Sequence, residues 1–208
     1  MASSSPKAIA ETEVVESIDS NWMPIEPVST RSIAIKTVDP TIHLAGFSFD
    51  PQFSDLSHLN SAWGASFSTS LYLVQLQLND ASIMNGFEDV YDIEVLERQS
   101  QGVYIVRVHD ASQVALISLD DDVRWMGAYA PFMRTTNDAI GAHLVQITVA
   151  GDIASSNVAT LTTHLVQNGA SSSWCSLDMC EAVFEGGLNA HELRRIAAHD
   201  DVLFVAKA

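Results

Sequence analysis

Basic residues are scarce in this 208-residue chain: 10 Lys+Arg stand against 26 Asp+Glu, a formal net charge of −16. Binding to a nucleic-acid backbone runs on clustered Lys and Arg that release counterions, so the balance excludes that class of function. It excludes docking on an anionic membrane surface for the same reason. Long apolar runs are missing too, and none approaches the roughly 20 residues of a membrane span. Cysteine is confined to Cys175 and Cys180, whose C-x4-C spacing does not match a zinc knuckle and has no second ligand pair. The first twenty residues lack the basic start and apolar stretch of a secretory signal, offering Ser3-Ser4-Ser5-Pro6 and then Glu11, Glu13 and Glu16. Either the protein is not exported by that route or the chain lacks its leader. Charged residues are only 17% of the chain while 47% is hydrophobic, which excludes a disordered acidic polymer and demands a packed core.

Residues 1–70 read as an extended arm and linker, broken by Pro6, Pro24, Pro27 and Pro40, with one strand expected at Ser32–Lys36. Within it, Phe47, Phe49, Phe53, Leu56, Leu59, Trp63 and Phe67 follow no clean period. Such a segment staples itself onto a neighbouring surface rather than forming a core of its own.

From Leu71 the pattern becomes regular. Strands are expected at Leu71–Leu78, Tyr91–Leu96, Gly102–His109 and Asp122–Ala128, with helices at Asp80–Asp89 and from Asp110 to Leu119, Asp80 and Asp110 acting as caps. The same β-α-β-β-α-β order returns over 142–208. It runs through a strand at His143–Val149, a helix at Ser155–Gln167 closed by Gly169, a hairpin of Ser172–Ser176 and Met179–Phe184, a helix capped by Asn189, and a last strand at Val202–Ala206. Leu73-Val74-Gln75-Leu76 echoes Leu144-Val145-Gln146-Ile147, and Asp121-Asp122-Val123 echoes Asp200-Asp201-Val202. The fold class expected is α+β, with two tandem ferredoxin-like units, 71–134 and 142–208, behind the arm. Helices cover one face of each sheet. Gln75, Gln77, Arg107 and His109 mark the other face of the first sheet as partly polar and available to a partner.

Four runs taken together resemble the N-terminal pro-region of subtilisin-like serine peptidases. They are Leu44-Ala45-Gly46-Phe47-Ser48-Phe49-Asp50-Pro51, Tyr72-Leu73-Val74-Gln75, Gly102-Val103-Tyr104-Ile105-Val106-Arg107, and Val123-Arg124-Trp125-Met126-Gly127-Ala128-Tyr129-Ala130-Pro131. Each is short and hydrophobic; their order and spacing carry the likeness, which covers about Thr41 to Arg134 and reaches the second half only through element order. The resemblance implies an exported, non-catalytic module that assists folding of a peptidase catalytic domain or inhibits it, in cis or in trans. The Asp-Thr/Ser-Gly, His-Gly-Thr and Gly-Thr-Ser signatures of the catalytic triad are absent from this sequence. Candidate segments for the peptidase cleft follow each last strand: Tyr129, Ala130, Pro131 and Phe132 after the first, and Leu203, Phe204, Val205, Ala206, Lys207 and Ala208 at the carboxyl end. Leu203, Phe204 and Val205 also read as ordinary residues of the final strand and its core. The alternative function is a small-ligand regulatory domain with its effector site between the two units; an enzyme of unrecognised type ranks third.

Other constellations carry less. Cys175 and Cys180 at the end of a hairpin lie within disulfide reach, against the alternative of two reduced core thiols. His191 and His199 stand about 80° apart around a helix, which is no ligand spacing, and no metal or other cofactor is expected. Asp120-Asp121-Asp122 lacks the glycine-punctuated loop of a calcium site and reads as a turn into a strand.

Overall fold

A computed structural model describes residues 38–57, 59, 63, 69–151 and 155–208. The strand expected at Ser32–Lys36, the prolines at 6, 24 and 27, and Phe67 lie outside the described residues. The elements whose bounds fall among the described residues are, in order, β1 Ile42–Leu44, β2 Phe47–Phe49, β3 Leu71–Leu76, α1 Ala81–Tyr91, β4 Ile93–Ser100, β5 Val103–Val108, α2 Ala111–Ser118, β6 Val123–Ala128, β7 Leu144–Val149, α3 Ser155–Gln167, β8 Ser172–Cys175, β9 Met179–Val183, α4 Ala190–Ala197 and β10 Val202–Lys207.

The helices begin where short polar side chains satisfy free backbone N–H groups. Asp80 accepts from the Ser82 N–H and Asp110 from the Ser112 N–H, each at 2.9 Å. Asn189 and Glu192 form a reciprocal capping box at the start of α4. Gly169, at φ +95°, ends the α3 turn in a conformation that a side chain disfavours.

The fold is α+β with antiparallel sheets. Two are four-stranded, ordered β4-β5-β3-β6 and β10-β7-β9-β8, and a third is the small β1–β2 hairpin. Counting the strands of each half from one to four, both large sheets run fourth–first–third–second. Helices line one face of each. In the first half Val74, Leu76, Tyr104 and Val106 pack against Met84, Phe87 and Ile117. In the second Val145, Ile147, Ala182 and Val205 pack against Leu161, Leu165, Leu193 and Ile196. The described residues of both halves fall within one compact unit.

The other face of the first sheet departs from the expectation of an open, partly polar surface. A third apolar cluster covers it: Ile42, Leu44 and Phe49 of the hairpin sit against Leu71, Leu73, Val103 and Ile105. Phe49 meets the Trp125 ring edge-on at 5.7 Å, and that indole lies across Gly127, where a Cβ would come within 2.3 Å of it. Gln75 is fully buried rather than exposed, its amide donating to the Asp39 and Pro40 carbonyls at 2.7 and 3.2 Å. Arg107 is engaged by Glu94 at 2.6 Å and Asp201 at 3.1 Å, while Gln77 and His109 do face solvent. The physical reason is that Leu71, Leu73, Val103 and Ile105 make both faces of their strands apolar, and such a sheet requires a cover on each side. Phe47, Phe49, Leu56, Leu59 and Trp63 supply it. Phe53 takes no part and is exposed.

Candidate functional site

The corresponding face of the second sheet has no such cover among the described residues. Alternation turns Val145, Ile147 and Val149 of β7 inward and leaves Leu144, Gln146 and Thr148 outward. Register then assembles rows across the sheet. The central row is Ala206, Gln146, Glu181 and Trp174, crossing all four strands. Phe204, Thr148 and Met179 lie on one side of it, and Leu144, Val183 and Ser172 on the other. Trp174 is 62% exposed, Leu144 41% and Val183 37%. The Gln146 amide donates to the Met179 sulfur, which leaves Glu181 as the one charged side chain in these rows. On a chain with 26 acidic residues, a charge-sparse band with large exposed apolar groups has the composition of a docking surface.

One end of the band is fastened covalently. Cys175 and Cys180 face each other in register and are joined by a disulfide. The turn between them is closed by the Ser176 N–H donating to the Met179 carbonyl at 2.7 Å. It holds Leu177 out, 63% exposed, where it lines a groove with Val158 and Cys175 at the free edge of the sheet.

The two candidate cleft segments occupy quite different places. Tyr129, Ala130, Pro131 and Phe132 are all buried, a correction to their reading as partner-facing residues. They form the connector between the halves and close the hairpin cluster, with Phe132 edge-on to Phe47 at 5.6 Å. Behind them lies Arg134, with 0% of its surface exposed. Its guanidinium donates to the carbonyls of Ala197, His199 and Val202 at 3.1–3.2 Å, to the Tyr129 carbonyl at 2.8 Å through Nε, and to the Thr69 hydroxyl at 2.9 Å. Burial brings its pKa down to about 10, so it remains a cation at neutral pH, satisfied by carbonyl dipoles. Burial also pushes the Tyr129 phenol up, and its O–H donates to the Leu203 carbonyl at 2.9 Å.

In β10 a register shift between Val202 and Phe204 splits the strand's side chains three ways. Val202 and Val205 enter the helix-side core, and Leu203 enters the hairpin cluster of the other half. Leu203 and Val205 are therefore unavailable to a partner, again a correction. Phe204 and Ala206 are half-buried on the outward rows, and Lys207 and Ala208 are exposed.

Trp174, Leu144, Val183 and Leu177 were not singled out from the sequence. The signal was present in Leu144-Val145-Gln146-Ile147-Thr148-Val149, where polar Gln146 and Thr148 alternate with apolar residues as in a strand with one wet face, against the four successive apolar residues of Leu71–Val74 and of Val103–Val106.

Between the two sheets the space is filled by Tyr129, Phe132, Met133, Ala150 and Leu203. Grooves lie at the periphery. One of about 390 Å³ runs beside Thr160, His164 and His199, and one of about 270 Å³ beside Ile83, Val90 and Asp120. In the second, Tyr91 donates to Asp120 at 2.6 Å, which pushes the phenol up to about 12. No cluster of three metal-ligating side chains occurs among the described residues, and no described helix is long and apolar enough to cross a membrane. No protein-family model matches the chain, and no curated protein is significantly similar to it.

Proposed function

We propose that the chain is a non-catalytic protein-docking module made of two tandem ferredoxin-like units, akin to the pro-region of an exported subtilisin-like serine peptidase whose folding it assists or whose activity it inhibits. The observation that carries this reading is the unequal treatment of the two sheets. The first is sealed by the chain's own hairpin, and the second has no such cover among the described residues and carries a charge-sparse apolar band that includes the last strand. The fourth–first–third–second order of both sheets supports the ferredoxin-like assignment. The quoted sequence runs supply the class of partner. The contact residues are Trp174, Leu144, Val183, Phe204 and Ala206, with the exposed side chains of Lys207 and Ala208 at the end of the band, where the backbone is still paired to β7. A flat sheet face buries area against a partner, while an extended terminus adds strand-like pairing.

The test mixes the full chain with a subtilisin-like catalytic domain and follows both cleavage of a chromogenic peptide and the yield of active enzyme after dilution from denaturant. Inhibition at micromolar chain, or a raised refolding yield, is the expected result. A series of such domains left untouched at micromolar concentrations overturns the assignment of partner.

A further inference from the structure

We propose that His164 and His199 form an acid-sensitive latch, in which neutral rings hold α3 against the end of α4 and protonation forces them apart. The two imidazoles lie 4.8 Å apart between centroids, tilted by 56°. Nε2 of His164 is 3.1 Å from the Arg195 carbonyl, to which a protonated nitrogen donates, and 3.2 Å from the Asn168 amide nitrogen. Nδ1 of His199 accepts the Asp201 N–H at 3.2 Å and so carries no proton.

The repeat within the chain shows what is unusual here. Asp120-Asp121-Asp122-Val123 in the first half matches His199-Asp200-Asp201-Val202 in the second. In the first, a carboxylate oxygen of Asp120 accepts the Asp122 N–H at 2.9 Å, the same bond that the His199 ring makes. An ionised carboxylate has only acceptors to offer, whereas an imidazole ring nitrogen ceases to accept once it is protonated. Once Nδ1 is protonated, a donor faces a donor. The nearest acceptor is Asp201 Oδ2 at 3.9 Å, on a carboxylate already held by Arg107 at 3.1 Å. Protonated His199 therefore competes for the ion pair that ties β5 to the start of β10, while two cations face each other across the helices.

The surrounding charges are these. α3 contributes no acidic or basic side chain besides His164. From α4 and the turn after it come Arg195, Asp200 and Asp201, with Asp200 engaged by Thr69 and Ser70. From the first half come Arg107 with its second partner Glu94, and Arg134 donates to the His199 carbonyl. Burial, then His199 and Arg195, hold the His164 pKa below its ordinary value against the opposing effect of its bond to the Arg195 carbonyl. A lowered histidine pKa contributes stability that is complete above about pH 6.5 and declines as the pH falls below it. The capping carboxylates Asp80 and Asp110, also shifted downward, lose their contribution only below about pH 4, so the two windows separate.

Hydrogen exchange of the full chain at pH 7.5 and 5.5, corrected for intrinsic rates, reads the latch directly. Amides of 160–168 and 197–203 are expected to exchange several-fold faster at pH 5.5, up to about tenfold because that pH lies about one unit below the ordinary histidine value, with α1 and α2 unchanged. His164→Gln with His199→Gln abolishes the difference. Equal protection at both pH values overturns the proposal, as does a difference that survives the double substitution. Should that variant fail to fold, the wild-type imidazole NMR titrations decide: coupled curves, with His164 below the ordinary range, support the latch, and two independent ordinary curves overturn it. Acid release of a docked partner rests on the docking reading above. The exchange measurement needs no partner, so the two readings fail separately.

Discussion

Leu73-Val74-Gln75 in β3 and Leu144-Val145-Gln146 in β7 are the same three residues on the same alternation, offset by two positions along their strands, yet their environments are opposite. Leu73 and Gln75 have no exposed surface, whereas Leu144 is 41% exposed and Gln146 faces solvent. Both valines point at their helices. The difference comes from the β1–β2 hairpin and the segments flanking it, with the connector and Leu203 closing the same cluster. A four-stranded sheet with two helices has a helix-side core and an unfinished face. One half finishes that face with the hairpin and the segment after it; the other has no such cover among the described residues. Equivalent local sequence thus sets which way a side chain points, and the third layer decides whether the direction is inside or outside.

The comparison breaks most visibly at the hairpin. Phe49→Ala removes a buried ring from the sealed face and is expected to lower stability by about 3–5 kcal/mol, read by urea unfolding of the full chain. A loss below about 1 kcal/mol would mean that the hairpin is not a structural cover. Opening the Cys175–Cys180 bridge acts on the open half, where release of a six-residue loop is expected to cost roughly 2 kcal/mol. Thermal melts with and without reductant measure it, and an unchanged midpoint contradicts it. Gly127→Ala sharpens the account of the sealed face. The added methyl meets the Trp125 ring, which must move, at a cost of about 1–3 kcal/mol, with quenched or shifted tryptophan fluorescence as the companion signal. Trp174→Ala comes last on the stability scale, within about 0.5 kcal/mol of the parent, because the ring is 62% exposed. It is expected to weaken partner binding by tenfold or more, as the removal of a central aromatic anchor does. A variant that loses stability but binds normally would reverse the roles assigned to the two faces.

Much of the element order was legible because it rests on local chemistry. The α3 helix spans Ser155–Gln167, as its sequence indicates, and Asp80, Asp110 and Asn189 cap the helices that follow them. The hairpin was not legible. Its strands are three residues each, too short for alternation to register, and they are held by Ile42, Leu44 and Phe49 meeting a sheet far along the chain. The connector was misread for a related reason. Tyr129-Ala130-Pro131-Phe132 follows a last strand just as the terminal residues do, but Arg134 anchors its neighbourhood to carbonyls of the second half, 63–68 residues away in sequence.

Periodicity and capping, which depend on residues within a turn or a strand of one another, determined where the strands and helices run and which side chains share a face. They also determined that two halves have one plan. Which of the two unfinished faces is closed depended on long-range burial: a short aromatic hairpin, a bulge that throws Leu203 across to the other half, and a buried guanidinium binding five groups between them. Such contacts gain their free energy by removing apolar area from water and pairing buried dipoles, and neither quantity exists until the chain has brought distant segments together.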